Sequence, residues 1–105
     1  MEEGEAAGLG ITVETYNAAE ARRRFGRQVS TELRGAEITD VEFGSQAADK
    51  GLRPGRVVIA VDGNSIGDVG DWRRAMRNTE PGRPVMLEVT NPAAAGSEYI
   101  FLDVE

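Results

Sequence analysis

The longest unbroken apolar run in the chain is Val57–Val61, and its length limits the folds available. Five residues are far too few for a bilayer-spanning helix, which takes about 20, but they suit a strand covered on both faces. The flanks agree. Pro54-Gly55 fits the central positions of a type II turn, and Asp62-Gly63 is a hairpin signal. The chain therefore reads as short strands punctuated by turns. Its 105 residues are enough for one modest core.

Residues 1–7 lack an apolar period and read as the end of a linker, with the domain proper over 8–105. Ile11–Thr15 alternates and is β-branched, the pattern of a strand. Asn17 with Glu20 three residues on resembles a capping box, opening a short helix through Phe25 that Gly26 ends. Residues 27–35 are polar and read as a loop. Ala36–Phe43 is strand-like, but Ile38 and Val41 are out of phase, so a bulge near Thr39-Asp40 is expected.

Gly44-Ser45 starts a helix of one to two turns over Gln46–Lys50, which Gly51 ends. Ser65-Ile66 is a very short strand. Asp68 is a good N-cap for a helix over Val69–Thr79, with Asp71 favoured in its first turn. Val69, Trp72, Ala75 and Met76 share one side of that helix. Strands over Arg83–Thr90 and Glu98–Val104 follow, the last with Ile100, Leu102 and Val104 on one face and Tyr99 and Phe101 on the other. Two hydrophobic faces point to a barrel-like sheet capped by helices, an α+β fold.

The composition excludes most chemistry. There is no histidine and no cysteine, so a Ser-His-Asp triad, a Cys-His pair, a disulfide and a thiolate or imidazole metal site are all ruled out within the chain. Ser30, Ser45, Ser65 and Ser97 have no histidine to activate them, and turn and cap roles suffice for them. The carboxylates lack Ca²⁺-loop spacing, and no cofactor is expected. A net charge of -6 argues against general nucleic-acid binding. Arg22, Arg23 and Arg24 read as a solvated helix face, or as a contact for a neighbouring domain or an acidic substrate. The acidic start, MEEGEAAG, carries no signal-peptide pattern, so any targeting segment of an exported protein is expected outside this chain, and no membrane insertion is expected.

The order of elements carries a resemblance. GSQAADKGLRPG, then VVIAVDGNSI, then DVGDWRRAM and PGRPVMLEV, looks like a bacterial PDZ domain. More narrowly, it is similar to the PDZ domains that follow the trypsin-like catalytic domain in Htr/Deg (Do-type) serine proteases. The lead-in LGITVETYNAAEARRRFG resembles the second such domain more than the first. Two positions depart from the family pattern: Arg56 stands where an aspartate is usual, and Gln46 where a proline is common. Neither is expected to touch a ligand.

The resemblance implies an α+β, partly open β-barrel or sandwich of about five to six strands capped by two main helices. It implies a non-catalytic module that binds C-terminal or extended peptide segments of substrate proteins by β-strand addition. The parent would be an envelope or periplasmic protease acting in protein quality control, whose neighbouring protease and PDZ domains are further partners. Gly8, Leu9, Gly10 and Ile11 would form the loop for the peptide carboxylate, and Val13, Val69, Arg73 and Met76 would line the groove.

An apolar last residue is expected in a pocket of Leu9, Ile11, Val13 and Met76. Val69 favours an apolar residue two places earlier, and Arg73 an acidic one nearby. Read from the residues alone, Gly8–Gly10 is a linker turn, Trp72 is core, and Met76 is core or pocket. The same fold in another envelope protease or secretion protein, or as an assembly contact with an unused groove, is the alternative.

Overall fold

A computed structural model describes residues 5–6, 10–26, 33–79, 82–92 and 96–103. The strands are β1 (Glu5–Ala6), β2 (Ile11–Thr15), β3 (Ala36–Val41), β4 (Val57–Val61), β5 (Asn64–Ser65), β6 (Pro84–Thr90) and β7 (Ser97–Asp103). The helices are α1 (Ala18–Phe25), α2 (Gln46–Asp49) and α3 (Val69–Arg77). One antiparallel sheet runs in the order β1-β2-β3-β4-β6-β7, with β5 paired to β4. This is the expected α+β architecture plus one strand, β1, in the stretch read as linker.

Local chemistry sets the element ends. Asn17, Ser45 and Asp68 each cap a helix, their side chains accepting from the N–H groups of Glu20, Ala48 and Asp71 at 3.0, 3.2 and 2.9 Å. Asp62 and Gly63 both have positive φ, 51° and 84°, as the tight β4–β5 turn requires. The expected bulge is present. Thr12 lies opposite Asp40 and Val13 opposite Ile38, which leaves Thr39 as the extra residue on β3. Residues 27–32 of the expected loop, and Val104, lie outside the described residues.

Strand β4 is covered on both faces, as its apolar run predicts. Val58 and Val61 enter the main core with Ile38, Trp72, Leu87 and Leu102, while Val57 packs with Tyr16 and Ala21 beneath α1. Strand β7 differs from expectation. Ile100 and Leu102 are buried, but Tyr99 and Phe101 are exposed, because β7 is the sheet's edge and its outer face meets no helix among the described residues. The two departures from the family pattern both tie β7 down. The Gln46 amide donates to the Asp103 carbonyl at 3.0 Å and accepts from its N–H at 2.8 Å. Arg56 pairs with Glu98 at 3.4 Å, an exposed bridge worth about 0–1 kcal/mol.

Glu37 and Glu14 face each other directly across β3 and β2. Burial raises the Glu37 carboxyl above its ordinary value, Glu14 and Glu20 push the same way, and Arg24 opposes them. The folded state therefore holds this proton more tightly than the unfolded chain. The group contributes stability below the carboxylate range and loses it as pH rises through that range. Glu37→Gln is expected to raise the urea midpoint at neutral pH and to leave it unchanged below about pH 4. A lower midpoint at neutral pH would contradict this.

Candidate functional site

Strand β2 and helix α3 are the walls of the candidate site. In β2 the alternation sends Ile11 and Val13 into the core, 2% and 0% exposed, and leaves Glu14 and Thr15 outward. One edge of β2 pairs with β3 along its length; the other meets β1, through Ala6 opposite Ile11 and Glu5 opposite Thr12. Helix α3 packs beside β2. Its half-buried residues Val69, Arg73 and Met76, four and then three positions apart, share one face. Val69 and Met76 pack against the main core from that face.

The two walls are joined at one end. Val69 is the first residue of α3, so its N–H has no partner inside the helix. It donates to the Thr15 hydroxyl at 3.0 Å, fixing the start of α3 to the end of β2. Thr15 is the positioning residue that the sequence does not announce. Nothing local marks a threonine at a strand end as a partner for a helix 54 residues away.

At the other end lies the expected carboxylate loop. Of its four residues Gly8 and Leu9 lie outside the described residues; Gly10 and Ile11 lie within them. Gly10 has φ of 79°. A Cβ there would sit 2.4 Å from Ser45 Cβ and 2.8 Å from Ser45 Oγ. The Gly10 carbonyl accepts from Glu42 N–H at 2.7 Å. Only a residue without a side chain fits against the start of α2 in that backbone conformation. Ser45, which caps α2, is thus also the residue that Gly10 lies against.

The described residues include no buried charged or polar residue and no cluster of metal-ligating side chains. Arg73 is the charged member of the helix wall, beside apolar Val69 and Met76. A strand beside a helix whose shared face carries two apolar side chains and an arginine can take up an extended chain. Main-chain hydrogen bonds would supply the pairing, and side chains the selectivity.

The sequence pattern of the PDZ domain family matches residues 37–91, from β3 to the end of β6. The chain belongs to the PDZ domain family. As such it is a non-catalytic module. It is 31% identical over 81 residues to a probable periplasmic serine endoprotease, DegP-like, of Brucella suis, a match covering 76% of this chain and 14% of the relative. A protein of the same description from Bartonella henselae is 41% identical over 54 residues, covering 50% of this chain and 11% of that one.

The PDZ domain thus spans no more than about a seventh of the length of these relatives. Among solved structures, the HtrA-type protease AlgW with a decapeptide superposes with a TM-score of 0.69 at 25% identity, covering 91% of this chain and 28% of that one. The HtrA3 PDZ domain bound to the phage-derived ligand FGRWV gives 0.62 at 18% identity, covering 91% and 80%. The second of these speaks to the fold alone.

Proposed function

We propose that this PDZ domain is the peptide-binding regulatory module of a larger Do-type serine endopeptidase of the periplasm or cell envelope, engaged in protein quality control. It takes C-termini or apolar segments of substrate proteins as an added strand between β2 and α3. The observation that supports this reading is how α3 is set against β2: the helix packs beside the strand, its first N–H is held by the Thr15 hydroxyl, and half-buried Val69, Arg73 and Met76 share one of its faces. The periplasmic setting rests on the names of the relatives.

In this reading the peptide carboxylate sits on backbone N–H groups of the Gly8–Ile11 loop, and the peptide runs back along β2 towards Thr15. Hydrogen bonds to an ionised carboxylate are about twice as strong as neutral ones, so the terminus anchors the register. The last side chain enters a pocket of Leu9, Ile11, Val13 and Met76. Val69 meets the residue two places earlier, and Arg73 selects for an acidic one nearby. A flexible thioether suits a pocket that accepts several apolar side chains.

Affinity should be on the order of micromolar, or roughly -8 kcal/mol, because one filled pocket and a short strand must offset the ordering of the peptide. The test uses hexapeptide pools ending in Val, Leu, Ile or Phe, with a free or an amidated terminus. Amidation is expected to weaken binding at least about tenfold, the loss of roughly 1.4 kcal/mol from a charged hydrogen-bonded end. Met76→Ala is expected to weaken the free-acid pool and shift its preferred last residue. Equal binding of both pools would sink the carboxylate loop; unchanged preference in Met76→Ala would sink the pocket.

A further inference from the structure

The β2 edge proposed to receive peptide already carries a strand of this same chain. Strand β1 pairs with it in antiparallel register, Ala6 opposite Ile11 and Glu5 opposite Thr12. That is the polarity of an added C-terminal peptide, whose last residue lies at the Ile11 end and whose earlier residues run towards Thr15. Four residues separate Ala6 from Ile11, so the strand is held beside its partner by a very short tether. A tether of that length gives an effective concentration in the millimolar range or above, which lets even a two-residue strand compete with a micromolar ligand.

We infer that β1, Glu5–Ala6, is a competitor in cis, a strap that occupies the ligand edge of β2 and must leave it before a peptide pairs at Ile11 and Thr12. This rests on the groove reading above and adds its regulation. The apparent affinity for peptide is reduced by the fraction of molecules with the edge open. A strap bound in two-thirds to nine-tenths of molecules weakens binding by about three- to tenfold. Whatever holds residues 1–6 elsewhere, such as a neighbouring domain of the parent chain, would then tighten peptide binding without touching the groove.

The test compares the chain with its Glu5→Pro/Ala6→Pro variant, which removes the strand's N–H donors and leaves the core intact. The probe is the free-carboxylate hexapeptide pool. The variant is expected to bind it about three- to tenfold more tightly, and the amide of Ile11, which faces β1, to exchange faster in the absence of peptide. A second variant needs no loss of structure. In this cysteine-free chain Glu5→Cys/Thr12→Cys places two thiols on residues directly opposite each other. Cα atoms so placed lie about 4.5–5.5 Å apart, within disulfide range.

Oxidation is expected to lower affinity at least about tenfold, and reduction to restore it. Equal affinity of the chain, the proline variant and both redox states of the cysteine variant would overturn the strap and leave the groove reading standing. Binding by no form, the proline variant included, would overturn the groove reading and the regulation with it.

Discussion

Replacing Trp72 by alanine is expected to remove about 3–5 kcal/mol of stability, the range for deleting a large aromatic side chain from a core. Trp72 is 0% exposed and heads the fully buried side chains by volume. It projects from the middle of α3 into the cluster that holds Ile38, Val61, Leu87 and Leu102, so it is the main apolar link between helix and sheet. A small domain has only about 5–15 kcal/mol in total, so the variant should be near the limit of folding. Far-UV circular dichroism in urea is the measurement, since Trp72 is the chain's single tryptophan and its fluorescence goes with it.

Trp72→Phe is expected to cost less. The indole N–H meets no acceptor among the described residues, so that substitution strands no hydrogen-bond partner there. A loss below about 1 kcal/mol for the alanine variant, typical of a surface change, would contradict the assignment of Trp72 to the core.

Gly10→Ala is expected to cost about 2–5 kcal/mol and to abolish peptide binding. Two effects add. A side chain at φ of 79° is disfavoured by about 1–2 kcal/mol. A methyl group 2.4 Å from Ser45 Cβ must also push the loop or α2 aside, and overpacking of this kind costs about 1–3 kcal/mol. Gly51→Ala separates the two. Its φ is 89°, but an added Cβ there meets nothing within 4 Å. Gly51→Ala should therefore show the backbone cost alone and leave binding unchanged. If the two variants prove equally stable, the contact between the loop and the start of α2 does not constrain Gly10.

What was legible in advance is what short stretches of chain decide for themselves. The caps at Asn17, Ser45 and Asp68 act over three residues, and the caps form where the side chains predict them. The phase slip between Ile38 and Val41 announces a bulge, because a strand covered on one face cannot keep both residues inside without an extra one. The unbroken run Val57–Val61 implies cover on both faces, and α1 and the main core supply it. The periodicity of α3 places Val69, Trp72, Ala75 and Met76 towards the core before any neighbour is known.

The tertiary structure decided the rest, because the partners are far apart in sequence and leave no local period. Thr15 holds the start of α3 across 54 residues, and Gln46 holds the end of β7 across 57. Gly10 is required by Ser45, a contact that no reading of the Gly8–Gly10 turn contains. The aromatic face of Tyr99 and Phe101 looked like a second core surface in sequence and is an exposed edge in the fold. The largest change concerns the lead-in. Residues 5 and 6 have no strand pattern of their own, and their pairing with Ile11 and Thr12 exists because no other described strand pairs with that edge of β2. The sequence alone thus determined the caps, turns, most strand faces and family pattern; the fold decided what lies against the outer edge of β2, since edge pairing is a property of backbone groups and not of side-chain order.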